Sequence, residues 1–283
     1  MTLDLFSHLT DFDICSFGSG SSGNSYYIGN ADTSILVDAG INGRNIVRNL
    51  EEIGKNIRQI SGILVTHDHI DHIKGLPDLS QRFGIKIYTT AKTWDAILQN
   101  RFTKHVRLSC YNEIISLKEF VIGTLKITAF PVEHDAADPH GFHIESKGKK
   151  LSIATDLGCI NKESLPYLSQ SQVLILESNY DETMLAAGPY PPYLKARIAG
   201  KVGHLSNQQA ADFLVEHRGN GLKHVFLAHL SEHNNTPEKA IQTLEKTIIT
   251  KSADPSSTAF HYHAFDRKKR SRLIQISLDS TIF

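Results

Sequence analysis

The sequence predicts an α/β fold: two β-sheets packed face to face, with helices covering their outer faces. Three features point that way. Short apolar runs rich in β-branched residues recur along the chain. Amphipathic helical patterns fall between them in both halves, which is how helices come to flank sheets. The length, 283 residues with 40% hydrophobic, suffices for a large buried core, so one domain over 1–283 is expected.

In chain order, strand patterns fall at 13–17, 25–28, 34–37, 62–66, 85–89, 113–117, 125–130, 142–146, 151–155, 173–177 and 224–228. Two more lie at 260–264 and 273–278. Helical periodicity marks 44–53, 76–83, 93–99, 206–217 and 237–250. Ser206 reads as an N-cap with Gln209 three residues on, and Thr236-Pro237 as a cap followed by a first-turn proline. Lys147-Gly148 suits a turn, and the proline-rich stretch 188–193 a stiff loop. No repeat or low-complexity segment is evident.

Lys+Arg 30 balances Asp+Glu 30, so no global field favours nucleic acid or an anionic membrane. A local basic rim is still compatible with that balance. Cys15, Cys110 and Cys159 lie far apart without CxxC spacing, which fits a reducing compartment. Cys110 and Cys159 read as buried structural residues. The acidic N-terminus is unlike a signal peptide, and no apolar run approaches the roughly 18 residues that span a bilayer. A cytoplasmic protein with no membrane contact is expected.

The unusual number is histidine, 15 in all, because imidazole is the commonest side-chain metal ligand. Several cluster in His67-Asp68-His69-Ile70-Asp71-His72, directly after the strand pattern 62–66. Loops at strand ends are held by a rigid scaffold, which suits chemistry. Ligands this close in sequence converge on ions only where the chain turns sharply. His67 and His69 can share one ion while Asp71 and His72 point at a neighbour. Solvated histidines at a polar helix start are the blander reading, and the spacing argues against it.

The run resembles the HxHxDH signature of the metallo-β-lactamase superfamily, which implies an αβ/βα four-layer sandwich with two mixed sheets and the metal site at one sheet edge. The family's other motifs have counterparts in order. Asp38 resembles the early Asp that orients the metal loop. His134, Asp156 and His229 resemble the third histidine, the bridging carboxylate and the last histidine. The resemblance thus implies one ion on His67, His69, His134 and Asp156, and a second on Asp71, His72, Asp156 and His229. Asp71 is taken as catalytic as well. The donor set leaves zinc, manganese and iron open. Two such ions hydrolyse bonds without a serine or cysteine nucleophile.

Which bond is cut depends on the second half. Segment 203–207, Gly-His-Leu-Ser-Asn, is similar to a motif of tRNA-processing nucleases in the superfamily. It implies that His204 donates a proton to the leaving oxygen, with Glu177 orienting it. A surface histidine and a structural carboxylate are the bland alternatives. More broadly, segments 17–25, 177–181, 203–207 and 232–237 occur in the order seen in bacterial YycJ/WalJ-type metal-dependent exonucleases. That likeness implies a 5′-to-3′ exonuclease with DNA as substrate, RNA staying open. Asn179-Tyr180 departs from the Asn-His usual there. The runner-up is a small-molecule hydrolase such as a glyoxalase II-like thioesterase, and a third reading is a non-enzymatic metal-binding protein. Loop 18–25 reads equally as a phosphate nest or a tight turn. The basic run 267–272 reads first as a solvated turn and second as a phosphate contact. His261 and His263 share one face of a strand and carry no assigned role.

Overall fold

The computed structural model describes residues 10–251 and 260–278; the expected domain, 1–283, extends beyond them at both ends. Two seven-stranded mixed sheets form the centre. The first contains β1 (Phe12–Gly18), β2 (Ser25–Gly29), β3 (Ser34–Val37), β4 (Ile60–Leu64), β5 (Ile87–Thr89), β6 (Tyr111–Glu113) and β14 (Ile274–Ile276), in the order β14-β1-β2-β3-β4-β5-β6. The second contains β7 (Glu119–Ile122), β8 (Leu125–Pro131), β9 (His140–Ser146), β10 (Lys149–Ala154), β11 (Val173–Glu177), β12 (His224–Ala228) and β13 (His261–Ala264), in sequence order across the sheet.

Alternation along the strands builds three cores, because successive side chains face opposite ways. Tyr26 and Ile28 of β2 point between the sheets and meet Ile127, Phe142 and Ile175. Tyr27 points outward, into a layer with Ile46 and Leu50 of α1 (Gly43–Glu52), Leu79 of α3 (Leu76–Phe83) and Ile97 of α4 (Ala91–Gln99). On the far side Leu174, Leu176 and Val225 meet Leu214 of α8 (Asn207–Glu216) and Leu244 of α9 (Pro237–Lys251). Each fully buried large apolar side chain is worth about 1.5–3 kcal/mol. Four layers result, as the sequence predicts.

Ser206 and Gln209 form the reciprocal capping box expected of them. Thr236 Oγ1 accepts from the Lys239 N–H, and Lys147 and Gly148 both take positive φ in their turn. Helix α4 starts earlier than its periodicity suggests because Thr90 accepts from the Thr93 N–H. The strand expected at 113–117 lies instead at β6, since Leu117 turns left-handed with φ 63°. Edge strand β7 escapes the sequence reading because its side chains are mostly exposed. So do α2 (Ile70–Ile73), α5 (Leu165–Ser169), α6 (Glu182–Ala187) and α7 (Pro192–Ile198), too short for a helical period. Cys110 is buried as expected, but Cys159 is half-exposed, beyond the buried end of β10. Among the described residues, no helix is long and apolar enough to cross a membrane.

Candidate metal centre

Every site residue but His204, which lies just before α8, sits at or just beyond a strand end. Asp38 follows β3, His67 to His72 follow β4, and His134 follows β8. Asp156 follows β10, Glu177 ends β11 and His229 follows β12. Three take the left-handed conformation that non-glycine residues avoid: Asp38 at φ 60°, Asp156 at 58° and His229 at 53°. Strain of about 1–3 kcal/mol per residue is typical where function fixes the backbone. It bends these side chains out of their strands and toward one another.

The structure brings together all seven ligands expected from the sequence. Donor atoms of His67, His69 and His134 lie within 4.8 Å of one another, as do those of Asp71, His72 and His229. Asp156 stands between the sets: Oδ2 is 3.2 Å from His72 Nε2, and Oδ1 is 3.7 Å from His134 Nε2.

Outer hydrogen bonds aim the rings inward. His72 Nδ1 donates to Asp38 Oδ2 at 2.7 Å and His229 Nδ1 to Glu177 Oε1 at 2.7 Å. His134 Nδ1 donates to the Gly203 carbonyl at 3.0 Å. Thr66 Oγ1 gives its proton to Asp38 and so accepts from His67 Nδ1 at 3.0 Å. Each bond fixes one ring nitrogen as donor and turns the other toward the cavity.

This donor set fits divalent cations. Among the described residues, His67 Nε2, His229 Nε2 and Asp156 Oδ2 are buried without a hydrogen-bond partner. An unmade buried bond costs about 1–3 kcal/mol, which coordination would reverse. Imidazole with carboxylate is the chemistry of transition-metal sites. The charges agree. Burial pushes the His67 pKa well down, and it lowers His134. Burial opposes charge on Asp156 too, yet His229 and His72 hold it well below the carboxylate range. Burial also resists protonation of His72, but Asp156, Asp38 and Asp71 win and raise it. The negative field that keeps a proton on His72 also attracts a cation.

His204 lines the same cavity, its ring 5.1 Å from that of His134 and 5.3 Å from that of His229. Its Nδ1 donates to Glu177 Oε1 at 2.9 Å. Burial disfavours the charged ring, but Glu177 and then Asp156 outweigh it and raise the pKa to about 9. Glu177 Oε2 accepts from the Leu157 and Leu205 N–H groups. With both oxygens engaged, Glu177 orients histidines and has little left for an ion.

Four supporting residues escape the sequence reading. Thr66 bonds Asp38 through its N–H and its hydroxyl. Asn24 Nδ2 lies 2.9 Å from His72 Nε2 and 3.4 Å from Asp71 Oδ2. Gly40 must lack a β-carbon, which would sit 1.5 Å from the Asp71 carbonyl oxygen. Asn179 Nδ2 donates to the His229 carbonyl at 2.8 Å. None has a local pattern, because each partner is distant in sequence.

Loop 18–25 is a tight turn, with the Gly23 N–H donating to the Gly20 carbonyl. It also buttresses the site, since Ser19 Oγ accepts from the His229 N–H at 2.8 Å. Segments 177–181, 203–207 and 232–237 hydrogen-bond to one another behind the centre. Asn207 Oδ1 accepts from Ser178 Oγ and Asn235 Nδ2, and Asn235 Nδ2 also reaches the Ser178 carbonyl. Tyr180, at the departure noted in the sequence, is buried and bridges to Ser206. The basic run is largely paired: Arg267 with the Ser231 carbonyl, Lys268 with Glu232 and Arg270 with Glu52. His261 and His263 are exposed on β13.

Residues 33–229 match the family described as Beta-lactamase superfamily domain. The chain is 34% identical over 258 residues to Exodeoxyribonuclease YycJ of Bacillus anthracis, covering 90% of this chain and 96% of that protein. It is also 34% identical over 226 residues to Exodeoxyribonuclease WalJ of Streptococcus pneumoniae, covering 80% and 84%. A crystal structure of the metallo-beta-lactamase fold protein YhfI from Bacillus subtilis superposes with a TM-score of 0.64 at 16% identity, covering 92% of this chain and 98% of that one. The thioesterase alternative has weaker backing: the likeness to a hydroxyacylglutathione hydrolase of Methylobacterium nodulans spans 52 residues, 18% of this chain. The family match takes in β3 to β12, strands of both sheets, and all seven candidate metal ligands, and the chain belongs to the metallo-β-lactamase superfamily.

Proposed function

We propose that the chain is a metal-dependent phosphodiesterase acting on DNA, a 5′-to-3′ exodeoxyribonuclease built as one domain. One observation carries the reading: imidazole and carboxylate lone pairs converge on one centre, some with no partner among the described residues, beside a histidine held by Glu177. Support comes from the two relatives named exodeoxyribonucleases, each aligned over most of its length. In this reading His67, His69, His134 and Asp156 hold one cation, and Asp71, His72, Asp156 and His229 the other, with zinc and manganese the candidates. When bound, such ions polarise the phosphodiester and lower the pKa of water toward about 7.

The chain's own groups do the rest. Asp71, partly open to the cavity, accepts the proton of the attacking water. His204, protonated and held through Nδ1, offers Nε2–H to the departing oxygen. Glu177 keeps that ring in line, and Asp38 does the same for His72. Three free cysteines agree with a cytoplasmic place of action.

The test is end-labelled duplex DNA with manganese or zinc. Release of nucleotides from the 5′ end is expected, with RNA cut more slowly. His69→Ala lowers the rate on the order of 10³-fold, the equivalent of several kcal/mol of lost charge stabilisation, and leaves the melting curve in chelator unchanged. Full activity in that variant overturns the metal assignment; a preference for RNA overturns the substrate.

A further inference from the structure

The cavity beside the cluster has a second wall that catalysis as described leaves unused. Its volume is about 320 Å³, at the small end of ligand sites and too narrow for a duplex. On one side stand the candidate metal ligands. On the other stand Tyr190, Leu194, Arg197 and Ile198, from the segment joining α6 to α7 and from α7 itself.

This wall is built, not incidental. Tyr190 is fixed between Pro189 and Pro191. Its ring meets His233 edge-on, centroids 5.8 Å apart. A β-carbon on Gly188 would come within 2.7 Å of Asn234 Oδ1, so the backbone is seated closely on that neighbouring loop. Helix α7 buries none of its residues, and the core therefore does not explain its position. Among the described residues, Arg197 is the one Lys or Arg lining a cavity that otherwise carries Asp71, Asp135 and Asp156. Its Nε donates to Asp135 Oδ2 at 2.6 Å, and Asp135 Oδ1 is 3.5 Å from His134 Nε2. That bond registers the guanidinium to the metal cluster while engaging Nε alone.

An aromatic face, an aliphatic patch and one cation beside a phosphate-cutting centre match the parts of a nucleotide. Every base has a π-face that stacks on aromatic rings whatever its sequence. We propose that Tyr190 and Arg197 form a subsite for the single terminal nucleotide of a strand, the phenol ring stacking on the base and the guanidinium holding a phosphate next to the one being cut. The proposal rests on the nuclease reading above and deepens it, since a one-nucleotide recess favours strand ends.

The experiment uses the full chain loaded with manganese and oligonucleotides whose terminal residue is normal or abasic. Tyr190→Leu raises KM for the normal end about 10-fold and by less than about two-fold for the abasic end, whereas Tyr190→Phe keeps the wild-type KM. Arg197→Ala raises KM for both and lowers the slope of log affinity against log salt by about one. Equal effects of Tyr190→Leu on both ends, or none on either, overturn the subsite. Calorimetric titration of a deoxynucleoside monophosphate and of deoxyribose 5-phosphate separates this failure from that of the function. Wild-type protein that prefers the nucleotide, with the preference lost in Tyr190→Leu, upholds the subsite even if DNA is left uncut, and no preference refutes it.

Discussion

The two sheets repeat one plan. Read β14-β1-β2-β3-β4-β5-β6 against β7 through β13, and each shows three antiparallel pairings followed by three parallel ones. Even the strain corresponds: Asp38 follows β3, Asp156 follows the strand in the same place, β10, and both are left-handed. Their chemistry differs. The Asp38 carboxylate accepts from Thr66 N, Thr66 Oγ1 and His72 Nδ1, so its lone pairs are engaged in holding a ring. Asp156 Oδ2 has no dedicated hydrogen-bond donor among the described residues and instead faces His72 Nε2 at 3.2 Å. The same bend thus serves orientation in one half and, in our reading, ligation in the other. A repeated backbone does not repeat the function.

The sharpest way to break that comparison is to make the same substitution at both bends. Asp156→Asn removes the carboxylate standing between both ligand sets. Bound manganese is expected to fall from two per chain to fewer than one, and the DNA cleavage rate on the order of 10³-fold or more. Asp38→Asn leaves every ligand in place but loosens the hold on His72 and, through Thr66, on His67, so metal affinity drops about 10–100-fold. Metal analysis after gel filtration, with cleavage rates at saturating metal, separates the two. Equal damage at both positions would mean Asp38 is more than an orienting group.

Glu177→Gln extends the contrast within the second half. Glu177 is the counterpart of Asp38 in role, yet it serves two rings, His229 and His204. It should cost metal affinity through His229 and turnover through His204, about 10–100-fold in each. A loss confined to metal affinity, with kcat intact at saturating manganese, would remove His204 from the chemistry.

The halves also differ in how much of them the sequence reveals. The first half places His67, His69, Asp71 and His72 within one turn, a pattern that can be read without knowing the fold. The second half supplies His134, Asp156 and His229 from three separate loops, and only their order along the chain exposes them through a family likeness. Asn24 and Asn179 stay hidden even so, because an amide near a ligand leaves no spacing to find. The repeat is likewise invisible in the sequence. It lives in strand pairing and direction, which apolar alternation satisfies with many different residues.

Acid should act more strongly on β9 of the second half than on β2 of the first. His143 of β9 is buried and hydrogen-bonded to Ser152 Oγ at 2.7 Å, and burial, with Lys150 adding to it, lowers its pKa to about 4. In the unfolded chain the ring titrates near ~6.5. Its neutral form is the one the fold accepts, so stability is complete above that value and declines as pH falls toward 4. Strand β2, in the same place in the first sheet, carries two tyrosines and no histidine. His143→Gln should therefore lose less stability than wild type between pH 7 and 4, by on the order of 2 kcal/mol. Urea midpoints in chelator at the two pH values measure it, and identical declines would refute it.

The smallest effect concerns the strand that closes the first sheet from the far end of the chain. Between β13 and β14 the chain crosses from one sheet to the other, and the basic run 267–272 lies on that crossing. Backbone bonds already anchor it: the Ser19 N–H donates to the Arg267 carbonyl and the Ser271 N–H to that of Ser16. The Arg270–Glu52 pair, Nε to Oε2 at 3.1 Å, adds a partly exposed contact to a segment that is held without it. Such pairs contribute about 0–1 kcal/mol, so Arg270→Ala should shift the melting temperature by no more than about 4 °C. Because Arg270 does not line the cavity at the metal centre, the variant should also leave the salt dependence of DNA affinity unchanged, unlike Arg197→Ala. A fall in slope of about one would show that DNA displaces Glu52. The nucleic-acid surface would then run from α7 of the second half across to α1 of the first, and the division of labour between the halves would hold for metal binding but not for the substrate.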